Sequence, residues 1–510
     1  WRQFNTIASN FRQNGWAWSH DGGKTWTFPG TIQSRFNSDP VLDTDIGGNF
    51  YYLSYPGGRS LRVFKSTDSG KTWSAGTAAT GGDKPWMIVD KSSSSGRGNI
   101  YAIWQVLHGP NTFIRSTNGG LSFSSAIRVA STPTFGTLAV DAAGNLYAAG
   151  LLRQNFGTFV LAKSTNAKNA LQTPAFSSVF VNMGGRMAFA RTPNPAGLLG
   201  QAQVVTDPSR PNHVYMLCSV DPPSIDPMDV HFVRSTNGGS SFSAPVRVND
   251  DSSSSAWQWF GTMSVAPNGR IDVVWNDTRA SSSARLSETH YAYSYDAGAT
   301  WSKNVPVSPQ WNSGIGWPRQ NKIGDYYHML SDKAKANLAY SATFNGEQDV
   351  YYLRLGDCNG NGVHDGIDLR SGASFDSNKN TIPDECELCQ KDLGSGGGLR
   401  LTVCGDDLTK AGSKATLLLA GGPARSPVVL LLSLGRLSPP LPLPGGGALV
   451  PDLFRSPSLI HVPGSTDSKG RFGMPLGGGV RSAGTVFGQA VMIQGTKTPI
   501  SNAVEIKIGS

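Results

Sequence analysis

The sequence predicts an all-β protein: a six- or seven-bladed β-propeller, seven preferred, then a small polar module and a β-sandwich. Three observations carry this expectation. Glycine (61) and proline (31) are abundant among 510 residues and charged residues make up only 15%, a composition suited to many short strands joined by turns. Almost no stretch sustains a 3.6-residue hydrophobic period, which leaves little room for helix. A short polar string ending in an aromatic also returns at the spacing of one four-stranded blade.

That string reads WSHDGGKTWT, KSTDSGKTWS, RSTNGGLSFS, RSTNGGSSFS and YSYDAGATWS. Its serines are Ser19, Ser66, Ser116, Ser235 and Ser294, with a worn copy at Ser164, at intervals of 47, 50, 48, 71 and 59 residues. Each copy sits inside a larger unit. In the second, SDPVLDTD reads as the inner strand, GNFYYLSY and SLRVFKS as the next two, and TWSAG opens the outermost. Later inner strands begin at KPWMIVD, FGTLAVD, QAQVVTD, FGTMSVAP and KIGDYYHML, and residues 1–30 read as the outer part of another blade. Six blades is the alternative, with the N-terminus closing the last blade at 321–355.

The strings follow Ser-x-Asp-x-Gly-x-Thr-Trp, matched by Ser66, Asp68, Gly70 and Trp73 and by their counterparts at Asp21 and Asp296; Asn118 and Asn237 replace Asp in two copies. Over about 355 residues this resembles the Asp-box (BNR) repeat of sialidases and related β-propellers. The Asp or Asn accepts hydrogen bonds from its own turn, Gly takes a positive φ, and the aromatic packs between strands. The resemblance implies a peripheral turn between the third and fourth strands of a blade, so these residues are structural and the ligand pocket lies over the central axis.

It also implies a glycan-directed function. One form is an exo-glycosidase on acidic sugars; the other is a non-catalytic glycan-binding, adhesive or cell-surface structural protein. In sialidases three arginines grip the sugar carboxylate, a tyrosine activated by glutamate is the nucleophile, and an aspartate is the acid/base. At the starts of the inner strands the positions available are Arg35, Arg186 and Arg279 for substrate binding and Tyr326, Asp325 and Asp39 for catalysis. Asp83, Trp86, Gln258, Asp277, His328, Arg2 and Gln3 share that placement. The chain departs from the family in having no Phe/Tyr-Arg-Ile-Pro segment near the N-terminus and no assignable Tyr–Glu pair, which leaves catalysis open.

After the propeller (1–355), residues 356–387 form the polar module and 388–510 the β-sandwich. A calcium loop of the EF-hand or dockerin type sets oxygen ligands at positions 1, 3, 5, 7, 9 and 12, with the sharp turn at position 6. Asp357, Asn359, Asn361, the Val363 carbonyl, Asp365 and Asp368 match it, with Gly362 at the turn. Asp376, Asn378, Asn380, the Ile382 carbonyl, Asp384 and Glu387 match it again, with Thr381 where glycine is usual. Hard oxygen donors favour Ca²⁺. The arrangement resembles dockerin-like and thrombospondin type 3-like repeats of secreted bacterial proteins, and implies Ca²⁺ stiffening the joint between propeller and sandwich.

Of five cysteines, Cys358, Cys386, Cys389 and Cys404 cluster at this junction, which suits an oxidising compartment. A Cys358–Cys386 bridge with a Cys389–Cys404 bridge is one pairing, others remain open, and Cys218 is left over. The expected location is secreted or cell-surface, with a glycan or polysaccharide ligand and surface attachment through the C-terminal domain. A net charge of +9 with no basic run argues against nucleic acid. No apolar run reaches 18 residues, so no membrane span is expected, and PVVLLLSLG (427–435) reads as a buried strand. Trp1 marks either a processed terminus or the start of a fragment.

Overall fold

The computed structural model describes residues 2–4, 12–152, 155–189, 192–195, 197–199, 201–316, 321–325, 327–376, 379, 381–394, 399–443, 447–452, 460–478, 484–492 and 499–508, with only the backbone of 2–4, 108, 156 and 388. It divides into two compact units, Trp1–Leu355 and Gly356–Ser510. Among the described residues Asp365–Arg370 is the one α-helix, and no helix is long and apolar enough to cross a membrane.

Among the described residues the first unit is a run of seven antiparallel sheets, each with its strands in chain order. The second sheet shows the pattern: Ser38–Thr44, Phe50–Gly57, Ser60–Ser66 and Thr77–Thr80. The third, fifth and sixth repeat it from Trp86–Val89, Gln203–Thr206 and Gln258–Val265. In the fourth, two short strands, Pro133–Thr134 and Leu138–Val140, share the edge of Leu146–Leu152. The first sheet (Arg2–Phe4, Arg12–Trp18, Thr27–Thr31) and the seventh (His328–Ser331, Ala336–Ala342, Asp349–Leu355) show three strands each among the described residues.

Apolar side chains of sheets two to seven are buried in clusters shared with a neighbouring sheet. Tyr51, Leu53, Ile100, Phe113 and Leu146 share one cluster across sheets two to four; Phe232, Val273 and Trp275 share another between sheets five and six. The strand Ile271–Asp277 is accordingly buried along its whole length, its polar Asp272, Asn276 and Asp277 included.

One turn recurs at the outer hairpins and is fastened in the same way in five sheets. Ser19, Ser66, Ser116, Ser235 and Ser294 donate their hydroxyls to Asp21, Asp68, Asn118, Asn237 and Asp296 at 2.7–2.9 Å. The same hydroxyls accept the backbone N–H of Gly23, Gly70, Gly120, Gly239 and Gly298 at 2.8–3.0 Å. Gly298 cannot be replaced here, since its φ is +77° and a Cβ would lie 2.2 Å from the Phe232 ring.

The turn's aromatic then packs on the preceding sheet. Trp73 meets Trp16 with centroids 6.4 Å apart, and Trp301 meets Phe232 at 5.2 Å. Trp26 of the first sheet has no earlier sheet and packs at 5.2 Å on Tyr352 of the seventh. Arg354 of that sheet also donates to the Gly22 carbonyl at 3.3 Å. The first and last sheets are therefore neighbours.

In the second unit, one sheet joins Leu388–Cys389, Arg400–Gly405, Lys414–Ala420 and Phe472–Gly477. The other joins Lys391–Gly394, Ile500–Ile508, Gly484–Met492, Pro427–Ser433 and Ile460–Ser465. Leu401, Val403 and Leu417 of one sheet share a core with Leu430, Ala490 and Val504 of the other. The 356–387 segment belongs to this unit, where Arg471 donates to the carbonyls of Gly372 (2.7 Å) and Ala373. Disulfides join Cys358 to Cys386 and Cys389 to Cys404, and Cys218 is a buried thiol.

The Ser116 hydroxyl is fully buried, and Ser116→Ala strips the Gly120 N–H of its acceptor. We expect a loss of about 1–3 kcal/mol, read from urea unfolding of the Trp1–Leu355 unit, whereas exposed Ser282→Ala should stay within about 0.5 kcal/mol.

Candidate functional site

The starts of the inner strands meet at one place in the first unit. Asp39, at the head of Ser38–Thr44, is buried and accepts the Ser38 hydroxyl at 2.6 Å and the Lys84 backbone N–H at 3.2 Å. Lys84, just before Trp86–Val89, forms an ion pair with Asp325, which also takes the Lys322 ammonium at 3.0 Å. Asp325, Tyr327, Gln201, Gln203, Phe260 and Thr262 line a hollow of about 180 Å³. Five strand starts thus converge on this group.

Asp39 and Lys84 have φ values of +50° and +53°, a region non-glycine residues enter uncommonly, and each precedes a proline. Such strain persists only where surrounding contacts enforce it, and it concentrates at functional sites. Here the Lys84 N–H bond to Asp39 and the Lys84–Asp325 ion pair are those contacts.

Asp83 is the chemically distinctive member. Burial pushes its carboxyl up to about 6, and the Asp39 carboxylate beside it and hydrogen-bonded to it adds to the rise; Lys84 opposes. Two carboxyls that share a site cannot both ionise easily, so one keeps its proton toward neutrality. Gln105 donates its amide to Asp83. Tyr55 stands beside the pair: its phenol is raised first by burial and then by Asp83 and Asp39. The result is a carboxyl of raised proton affinity flanked by amide, phenol, carboxylate and ammonium groups.

The sequence-predicted residues divide around this centre. Asp39 and Asp325 are brought together through Lys84. Tyr326 lies outside the described residues, as do the side chains of Arg2 and Gln3. Its neighbour Tyr327 is buried, donates to the Ser341 carbonyl at 2.9 Å and accepts the Asn276 amide at 2.9 Å. His328 meets Trp86 edge-on at 5.7 Å.

The three arginines share no partner, contrary to the expected carboxylate clamp. Arg35 is exposed; Arg186 is exposed and bridged through its backbone to Asp221. The Arg279 guanidinium is occupied by Asp277 (2.9 Å), Asp250 (2.6 Å) and Asn304 (3.1 Å), with Gln258 also on Asp277 at 3.4 Å. Its physical reason for being there is to neutralise the buried Asp277, with the exposed Asp250 as a second partner.

Sequence reasoning missed Lys84, Lys322, Gln105, Gln201 and Gln203. The available signal for Lys84 was its place in DKPW, which echoes SDPV one sheet earlier.

The second unit holds the loops matched to calcium. Gly362 N–H donates to Asp357 at 3.2 Å and Thr381 N–H to Asp376 at 2.9 Å, the same closing bond in both loops. Gly362 and Thr381 have φ of +80° and +71°, so threonine adopts the glycine conformation at the turn position. In the first loop Asn361 donates to Asp368 at 2.9 Å and the Cys358 N–H to Asp365 at 3.0 Å. Burial, then the carboxylates of Asp357, Asp368 and Glu385, raise Asp365 to about 6. Glu385 Oε2 is buried without a hydrogen-bond donor. An oxygen-rich, charge-deficient set of this kind fits a hard divalent cation. In the second loop Asp376, Ile382, Asp384 and Glu387 are described; Asn378 and Asn380 lie outside the described residues.

No family model and no curated protein matches the sequence. Among solved structures the chain is similar to a Trypanosoma rangeli sialidase in complex with the inhibitor DANA, with 10% identity, 99% of this chain and 92% of that one covered, and a TM-score of 0.36. It is similar to a Penicillium chrysogenum alpha-L-arabinanase complexed with arabinobiose (10%, 62% and 80%, 0.31). A PL25 ulvan lyase also aligns (13%, 69% and 87%, 0.40). All three names are those of glycan-acting enzymes.

The pH dependence of stability follows from Asp83. Its folded value of about 6 lies above the roughly 4 of an unfolded aspartate. Its contribution is therefore fully present below about pH 4 and lost as pH rises through about 6. Asp83→Asn should remove up to about 2–3 kcal/mol of that decline, measured by urea unfolding at pH 4 and pH 7.

Proposed function

We propose that the Trp1–Leu355 unit is a seven-bladed, glycan-directed β-propeller whose ligand sits where the inner strands converge, with Asp83 as proton donor. The observation that carries this reading is the Asp39–Asp83 carboxyl pair, Asp39 buried and Asp83 half-buried, with Asp83 raised to about 6. A carboxyl that holds its proton near neutral pH is what protonation of a glycosidic oxygen requires. Gln105, Gln201, Gln203 and Lys84 supply donors suited to sugar hydroxyls, and Tyr55 an aromatic wall. The resemblance of the repeated turns to the Asp-box supports a glycan as ligand. The seven-blade count rests on the first and seventh sheets being separate sheets packed on each other.

The acidic-sugar form of the reading depended on an arginine clamp. With Arg279 held by Asp277 and Asp250, we propose a glycan without requiring a carboxylate on it. Binding without cleavage is the second reading. It is favoured by the two ammoniums on Asp325, which make that carboxylate a poor base.

Fluorogenic glycosides of several sugars, screened beside a glycan array, separate the two. Cleavage by the wild type that falls at least 100-fold in Asp83→Asn, with array binding kept, supports the proton-donor role. Array binding with silence across the glycosides supports the second reading, and silence in both assays would sink the glycan proposal.

We further propose that the 356–387 loops bind Ca²⁺ through Asp357, Asn359, Asn361, Asp365 and Asp368 in the first, and Asp376, Asp384 and Glu387 in the second. The cation would supply the positive charge these carboxylates lack. The two disulfides favour an extracellular setting, with the C-terminal unit as the surface attachment. Calcium at 100 times its dissociation constant should stabilise the Gly356–Ser510 unit by about 2.7 kcal/mol. Chelation should reverse this in a thermal scan while leaving the first unit's transition in place.

A further inference from the structure

We infer that Glu385, at a non-ligand position of the second calcium loop, is the residue that orients Asn359 for the first loop's site. The inference rests on the calcium reading above.

A ligating asparagine must turn its carbonyl oxygen, and not its NH₂, toward the cation. The two ends of an amide are nearly the same size, so a partner has to choose between them. Asn359 donates its Nδ2 to Glu385 Oε1 at 3.1 Å, across 26 residues of chain. Its Oδ1 then faces the loop, where it accepts the Asn361 N–H at 3.1 Å. Asn361 is oriented from within its own loop, by donating to Asp368. Asn359 takes its hold from the other loop.

Glu385 is itself well placed for this. It lies in the short turn Asp384–Cys386, which is anchored by the Asp384 N–H bond to the Phe375 carbonyl at 2.8 Å. The next residue, Cys386, is bonded to Cys358, the chain neighbour of Asn359. The Ser374 hydroxyl donates to the same Oε1, while Oε2 stays buried without a donor. A carboxylate so fixed can accept the amide but cannot swing away with it. The first loop's donor set is therefore completed by the fold of the second, and ligand-orienting partners of this kind are worth about 10–100-fold in metal affinity.

The test is a calcium titration of the chelator-stripped full chain by isothermal calorimetry, with disulfides intact. Glu385→Ala should weaken one of the two binding events at least tenfold and leave the other within about twofold. An aspartate at 359 offers an oxygen whichever way it faces, so in an Asn359→Asp background the same Glu385→Ala change should cost less than about twofold. Glu385→Gln, which keeps the shape and can still accept through its carbonyl, should fall between. Equal losses in both backgrounds would mean a general folding defect and overturn the inference, as would an unchanged affinity in Glu385→Ala. Failure of the wild type to bind calcium overturns the calcium reading and this inference together; wild-type binding without any effect of Glu385→Ala overturns this inference alone.

Discussion

The first unit depends on the serine hydroxyl at the outer hairpin of a sheet. It donates to an Asp or Asn two residues on and accepts a glycine N–H four residues on. This fixes a tight polar turn at a place where backbone groups would otherwise compete for water. Because the turn is rigid, the aromatic after it is delivered to one spot, against the preceding sheet. A sheet in such an array packs only on its neighbours, so its orientation is inherited from the one before it. The convergence of inner-strand starts on Asp325 is the far consequence of fasteners on the outside.

At the centre the constraint is charge in a confined space. Three aspartates lie together, and burying a carboxylate is costly unless it is paired or protonated. The structure uses both remedies. Asp325 is neutralised by Lys84 and Lys322; Asp83, beside Asp39, is pushed up to about 6 and so takes a proton more readily. The Gly356–Ser510 unit meets the same problem around Asp365 and Glu385, where Asp365 is raised to about 6 and the proposed remedy is a cation held by oxygen ligands of the 356–387 loops.

The turns were legible because every participant lies within eight residues, from Ser66 to Trp73, and repeats at a visible spacing. The paired turns of 356–387 were legible for the same reason, since the bonds from Gly362 to Asp357 and from Thr381 to Asp376 each span five residues. Asp39 and Asp325 were found by a weaker rule, that polar residues at inner-strand starts face the axis. The rule also admitted Arg279, because spacing cannot show that Asp250 and Asn304 from other loops would take up its guanidinium. Lys84 escaped notice as an ordinary charged residue before a proline. Its importance comes from Asp325, 241 residues away in sequence.

The sequence by itself therefore determined what is local: all-β character, the repeated turn and its fastening, and the positions of the oxygen donors in 356–387. Hydrogen bonds across a few residues, and the two-residue period of strands, are written into adjacent positions. Tertiary structure alone decided that Asp39, Asp83, Lys84 and Asp325 form one cluster, that Arg279 is engaged elsewhere, and that Glu385 reaches Asn359. Each of these joins groups far apart in the chain, and each protonation or orientation depends on burial and neighbouring charge, which exist only once the sheets have packed.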